Sequence, residues 1–121
     1  GAWIIAHGAT DQMLGIVNLN YDRDELEITY ALLPEFVGHG YAREAVRRVI
    51  EFARDTLDEP VMIAVVQTSN KRSVEQLKKI GFRVRRGLEE FGGQQLLMEY
   101  PLQAEPGECR TSATAPEVPT P

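Results

Sequence analysis

Two hydrophobic periods alternate along the first hundred residues, and the order in which they do so defines the elements. Trp3-Ile4-Ile5-Ala6 and Leu14-Gly15-Ile16-Val17-Asn18-Leu19 are short apolar runs on either side of a polar turn, Gly8 to Gln12, and read as strands. A second turn, Asn20-Tyr21-Asp22-Arg23-Asp24, precedes a segment in which Leu26, Ile28, Tyr30 and Leu32 alternate with Glu25, Glu27, Thr29 and Ala31. A period of two means a strand with one buried face, and Pro34 ends it. With connections this short, the three strands form an antiparallel meander.

From Tyr41 the period becomes helical. Ala42, Ala45, Val46, Val49, Ile50, Ala53 and Leu57 share one stripe, while Arg43, Arg47, Arg48, Glu51 and Arg54 cover the other side. Pro60 closes this helix, and Val61-Met62-Ile63-Ala64-Val65-Val66 comes next without alternation, as a strand covered on both faces requires. Asn70 is the N-cap of a second helix over 71–80, with Val74, Leu77 and Ile80 buried and Gly81 as its terminator. Phe82–Arg86 and Gln94–Tyr100 close the domain as a hairpin around Gly92-Gly93. The order βββ-α-β-α-ββ makes the fold class α/β, an α+β arrangement on a mixed sheet. Trp3 and Phe52 are expected in the core.

Composition separates this unit from the rest of the chain. Of the seven prolines, five lie from Pro101 onward, and none of the aromatic residues does. The segment 104–121 therefore has too little to bury to offset its ordering entropy and is expected to be a disordered Pro/Ser/Thr-rich tail, leaving 1–103 as the folding unit. The lone Cys109 falls in that tail as an incidental thiol, and a single cysteine excludes an internal disulfide or a multi-cysteine metal site. His7 and His39 are far apart and lack ligand partners, so no metal is expected. A net charge of −5 argues against DNA as partner. No apolar run reaches the roughly 18–20 residues of a membrane span, and the N-terminus lacks signal-peptide features. The expectation is a cytoplasmic protein with no membrane association.

The candidate chemistry lies in the connections. In Pro34-Glu35-Phe36-Val37-Gly38-His39-Gly40-Tyr41-Ala42-Arg43, two glycines join a strand to the first turn of a helix. Such a loop presents successive backbone N–H groups at the positive end of the helix dipole, which suits a phosphate. It also serves simply as a tight connection. It is not a Walker A loop, and Arg43 stands where a dinucleotide fingerprint needs a third glycine. Gln67-Thr68-Ser69-Asn70, with Ser73 one turn later, opens the second helix, and loops after neighbouring strands tend to face one crevice.

Together, Glu27-Ile28-Thr29-Tyr30-Ala31-Leu32, Gly38-His39-Gly40-Tyr41-Ala42-Arg43-Glu44-Ala45 and Asn70-Lys71-Arg72-Ser73 with Gly81-Phe82 resemble the GNAT superfamily of N-acetyltransferases, in its Rim-like branch. The resemblance implies acetyl-CoA as co-substrate and a primary amine, either a protein N-terminus or a small molecule, as acceptor. It implies that the strand around Ala31, Leu32 and Leu33 pairs with the pantetheine arm. The N–H groups of Val37, Gly38, His39, Gly40, Tyr41 and Ala42 would hold the pyrophosphate, and Asn70 would bind the pantetheine region. Glu27 matches the strand carboxylate that acts as general base, and Ser73 would steady the leaving thiolate. Lys71, Arg72, Lys78 or Lys79 would reach the 3′-phosphate, or else form a solvated helix face.

A base is needed because a lysine-like amine, with a pKa of about 10.4, costs about 4–5 kcal/mol to deprotonate at neutral pH, whereas an α-amino group costs about 1. Three departures from the family pattern stand out. Glu35 replaces a Gln or Arg, and Leu77 occupies the place of the usual acid tyrosine, so no phenol is expected at the site. The family's opening strand and two helices, which build much of the acceptor pocket, have no counterpart: the chain is truncated, another chain supplies that wall, or the acceptor site has been lost. The rival to an enzyme is therefore a non-catalytic acyl-CoA-binding module or an inactive enzyme fragment. The sheet edge left exposed makes self-association into a homodimer plausible.

Overall fold

In the computed structural model, residues 1–22, 24–90 and 92–103 are described. The expected tail, with Cys109, lies outside them. Strands β1 (Ala2–Ala6), β2 (Met13–Asp22) and β3 (Glu25–Leu32) precede helix α1 (Tyr41–Thr56), and β4 (Val61–Gln67) precedes helix α2 (Lys71–Ile80). The chain closes with β5 (Arg83–Glu90) and β6 (Gly93–Pro101). The periodicity predicts the same elements in the same order, but β2 runs through most of the expected turn to Asp22, β5 extends to Glu90, and a 3-10 turn is added over Pro34–Phe36.

The six strands form one sheet in the order β1-β2-β3-β4-β6-β5. β1, β2 and β3 make the antiparallel meander, β3 and β4 run parallel across the α1 crossover, and β4 meets β6 antiparallel. Both helices cover the same face. Val46, Val49, Ile50 and Ala53 of α1 and Leu77 and Ile80 of α2 share one buried cluster with Leu19, Leu26, Ile28, Met62, Ala64 and Met98 from the strands. Trp3 and Phe52 do not belong to it. They meet edge-on, with ring centroids 5.3 Å apart, at the rim of the β1–α1 contact, and are 38% and 42% exposed. An aromatic on an edge strand finds a partner there but no second layer.

By strand alternation, the opposite face carries Glu25, Glu27, Thr29 and Ala31 of β3, Ile63 of β4 and Glu99 of β6. Ile63 is nevertheless fully buried. A bulge in β5, where the register shifts between Val84 and Arg86, re-aims Arg85 across this face. Its guanidinium donates twice to Glu25, Nη1 to Oε1 and Nη2 to Oε2, both at 2.8 Å, and Nε donates to Glu99 Oε1 at 2.6 Å. Glu25 and Glu99 stand on the two strands that flank β4, so the Arg85 guanidinium ties carboxylates from either side of β4. The helices thus cover one face of β4, and on the other the Glu25–Arg85–Glu99 ion pairs link its two neighbouring strands.

Candidate functional site

Two local features place the site at the C-terminal ends of β3 and β4. The first is a divergence of the parallel strands. Their ladder consists of Leu26 opposite Met62 and Glu27 opposite Ile63, and it ends there, although β3 runs on to Leu32 and β4 to Gln67. Over Thr29 to Leu32, the edge of β3 that faces β4 is left out of the sheet. On its other edge β3 remains paired with β2 up to Leu32 opposite Gly15. Gly15 is required there, because a Cβ would stand 2.2 Å from the carbonyl oxygen of Ala31.

The second feature is the glycine loop. Gly38 and Gly40 adopt φ of 91° and 83°, and Gly40 is the N-cap of α1. With glycine the left-handed conformation carries no steric penalty. The N–H of Glu44 is the first of α1 to close on a carbonyl, that of Gly40 at 3.1 Å. Among the described residues, the backbone N–H groups from Gly38 to Arg43 have no acceptor. Val37 differs from its expected role: its N–H closes the preceding 3-10 turn on the Pro34 carbonyl at 3.3 Å. The open run of donors begins one residue later than the sequence suggests. Donors aligned at a helix N-terminus form an anion site.

A cavity of about 580 Å³ joins the two features. Ala31 and Leu32 line it from β3, Val37, Gly38, Gly40, Ala42 and Arg43 from the loop and α1, and Arg72, Ser73, Glu75, Gln76 and Lys79 from α2. Arg72 leans over the loop, its Nη1 3.2 Å from where a Cβ on Gly38 would stand. Of the four cations expected on α2, packing turns Arg72 and Lys79 to the cavity and leaves Lys71 and Lys78 outside its lining. Lys78 instead stands 4.0 Å from Glu75.

Other expected residues lie around the cavity rather than in its wall. The Oδ1 of Asn70 accepts from the Ser73 N–H at 3.2 Å, so Asn70 caps α2 and fixes the turn that carries Ser73. Tyr41 lines a separate cavity of about 430 Å³ with His7 and Leu14, and packs against Phe36 and His39. His39 borders a shallow basic cleft with Arg43, Arg47 and Arg48. Leu33 is partly exposed, and its N–H donates to the Leu14 carbonyl at 2.9 Å. Glu27 is half-buried on the face of β3 opposite the helices, on the last rung before the two parallel strands separate.

Periodicity assigns Tyr30 only to the buried face of its strand, yet it reaches the cavity wall. Its hydroxyl donates to Gln76 Oε1 at 3.4 Å, and burial pushes the phenol above its ordinary pKa. A phenol therefore lines the cavity after all, from β3 rather than from the position of Leu77 on α2. Its signal was Tyr30 itself, a polar-tipped aromatic among aliphatic strand positions. Among the described residues, no cluster of three or more His, Cys, Asp or Glu side chains is arranged to hold a metal. No helix among them is long and apolar enough to cross a membrane.

Residues 1–83 match the family model of the acetyltransferase (GNAT) domain. Solved structures share the fold at low identity. A GNAT-family acetyltransferase from Bacillus anthracis superposes with a TM-score of 0.76 at 16% identity, over 84% of this chain and 66% of its own. Spermidine/spermine N-acetyltransferase SpeG from Vibrio cholerae, in complex with manganese ions, gives 0.74 at 23% identity, over 84% and 64%. A GnaT-family protein from Bordetella pertussis gives 0.75 at 20% identity, over 82% and 64%. The chain thus spans somewhat less than two thirds of the length of these structures.

Proposed function

The chain belongs to the GNAT acetyltransferase family, and on that premise we propose that it takes acetyl-CoA as donor and passes the acetyl group to a primary amine. The observation that carries this reading is the union, in one cavity, of an unpaired stretch of β3 with a run of unsatisfied N–H groups at a helix N-terminus. An amide-bearing arm needs strand-like backbone partners, and a pyrophosphate needs converging donors. Here they are neighbours.

In this reading the backbone of Ala31, Leu32 and Leu33 pairs with the pantetheine arm. The N–H groups of Gly38, His39, Gly40, Tyr41 and Ala42 hold the pyrophosphate, and Val37 lines the entrance. Arg72 and Lys79 neutralise phosphate charge. Asn70, whose Oδ1 is engaged by Ser73, offers its Nδ2 donors to the arm. Glu27 takes the proton of the attacking amine through water, from the face of the sheet opposite Ser73, and Ser73 steadies the thiolate as it leaves. The acceptor is a protein N-terminus or a small-molecule amine, as in the Rim-like branch. The setting is cytoplasmic, and self-association proceeds through the β1 edge, where Ile4 is 67% exposed.

Isothermal titration of acetyl-CoA into the protein, with desulfo-CoA as control, tests the reading. Saturable binding with a negative heat-capacity change is expected. Gly38→Asp abolishes it by placing a carboxylate in the cradle. Because φ at Gly38 is positive, the strain of that change is controlled by Gly92→Asp, at a φ of 76° with open space around it, which retains binding. Equal behaviour of the two variants would remove the loop from the site. Binding without release of free thiol across a panel of amines would mark a non-catalytic acyl-CoA module instead.

A further inference from the structure

We propose that Tyr30 is a catalytic residue whose hydroxyl, alongside that of Ser73, hydrogen-bonds the sulfur of the departing thiolate. The inference rests on the acetyl-CoA reading above and adds to it a residue that this reading does not use. Tyr30 and Ser73 approach the same cavity from different elements, β3 and α2. Leu77, one turn after Ser73, is buried in the core and offers no polar group. Tyr30 is partly buried and packs on the core cluster, so its ring is held while its hydroxyl meets α2 at Gln76, one turn on from Ser73.

The chemistry defines what this hydroxyl does. The amine nitrogen attacks the thioester carbonyl carbon, and a C–N bond forms. The tetrahedral intermediate then collapses, the C–S bond breaks, and the electron pair leaves on sulfur. The amine proton departs by way of Glu27 and water. A thiol of ordinary pKa, about 8.5, is a stronger acid than a tyrosine phenol, at about 10. Burial raises the Tyr30 phenol further. Proton transfer from Tyr30 to sulfur is therefore uphill, and the phenol keeps its proton while donating a hydrogen bond to the thiolate. At 3.4 Å its bond to Gln76 is long and easily exchanged. Rotation of the Gln76 carboxamide brings an N–H donor to the phenol oxygen, which holds the ring in place and leaves the O–H for sulfur. Gln76 is a positioning residue in this arrangement.

The test compares wild type with Tyr30→Phe, a change that removes one oxygen and keeps the packing. Affinities for CoA and desulfo-CoA are measured by calorimetry from neutral to alkaline pH. In wild type, CoA binds more tightly as its thiol ionises, whereas desulfo-CoA shows no such rise. In Tyr30→Phe most of the rise is lost, the remainder being due to Ser73, while desulfo-CoA binding is unchanged. The variant's kcat falls about ten- to a hundredfold, the range expected for one hydrogen bond to a charged group, with KM for acetyl-CoA little altered. Gln76→Leu shows a weaker version of both effects. Should wild type bind CoA with no pH-dependent preference over desulfo-CoA, or should Tyr30→Phe keep that preference, the assignment of Tyr30 is overturned and the acetyl-CoA reading survives. Should wild type bind neither ligand, both readings fall together.

Discussion

Arg85 shows how much one side chain can organise. Its guanidinium holds two carboxylates from strands that do not touch each other, on the face that the helices leave open. Hydrogen bonds from Arg85 hold the carboxyls of both Glu25 and Glu99 below their ordinary range, despite the opposing effect of partial burial. A carboxyl with a lowered folded pKa stabilises the protein fully above the unfolded value of about 4.3, and that contribution is lost as pH falls through the folded value. Arg85→Leu is therefore expected to cost about 1–3 kcal/mol at neutral pH and much less in acid, where wild type has already lost the pairing. Urea unfolding at low salt, at both pH values, measures the difference. An equal loss at both would mean that Arg85 acts by packing rather than by charge. At this scale the sequence was least informative. Along the chain Arg83, Arg85 and Arg86 look alike, and it is the bulge in β5 that turns Arg85 toward Glu25.

At the scale of elements, the site depends on two strands that begin as partners and then separate. Nothing in a hydrophobic period reports where a parallel ladder ends, since β3 keeps its alternation to Leu32 whether or not β4 stays beside it. What holds β3 in place beyond that point is its other neighbour, β2, and the close approach at Gly15. Gly15→Ala would drive a methyl into the Ala31 carbonyl, which lies in backbone and cannot swing aside. The expected cost is about 2–3 kcal/mol, accompanied by a loss of cofactor affinity larger than for an equally destabilising core change such as Val49→Ala. Thermal unfolding and calorimetry on the pair check this. If the two variants bind alike, the β2–β3 contact serves stability alone. The glycine loop was more legible, because a strand followed by Gly-x-Gly and a helical stripe specifies both the turn and the dipole that faces it. Even there, the 3-10 turn over Pro34–Phe36 consumed the donor of Val37, a detail set by how the chain leaves β3.

Over the whole molecule, an acidic chain concentrates positive charge at one place. The net charge is −5, yet Arg43, Arg72 and Lys79 line the main cavity against the single carboxylate of Glu75. Coenzyme affinity is accordingly expected to fall about tenfold between low and near-molar salt, as partly exposed charges become screened. Arg72→Ala weakens binding and Lys71→Ala does not. A salt-independent affinity would mean that backbone donors alone hold the phosphates. From the sequence by itself came the elements, their order, the buried stripes and the chemistry-bearing loops, because periods of two and 3.6 and the turn residues between them are local properties of the chain. Only the tertiary structure decided which cations of α2 face the cavity, where β3 parts from β4, that Arg85 joins Glu25 to Glu99, and that Tyr30 shares a cavity with Ser73. Each of those depends on the angle at which one element packs on another, and a one-dimensional pattern carries no such angle.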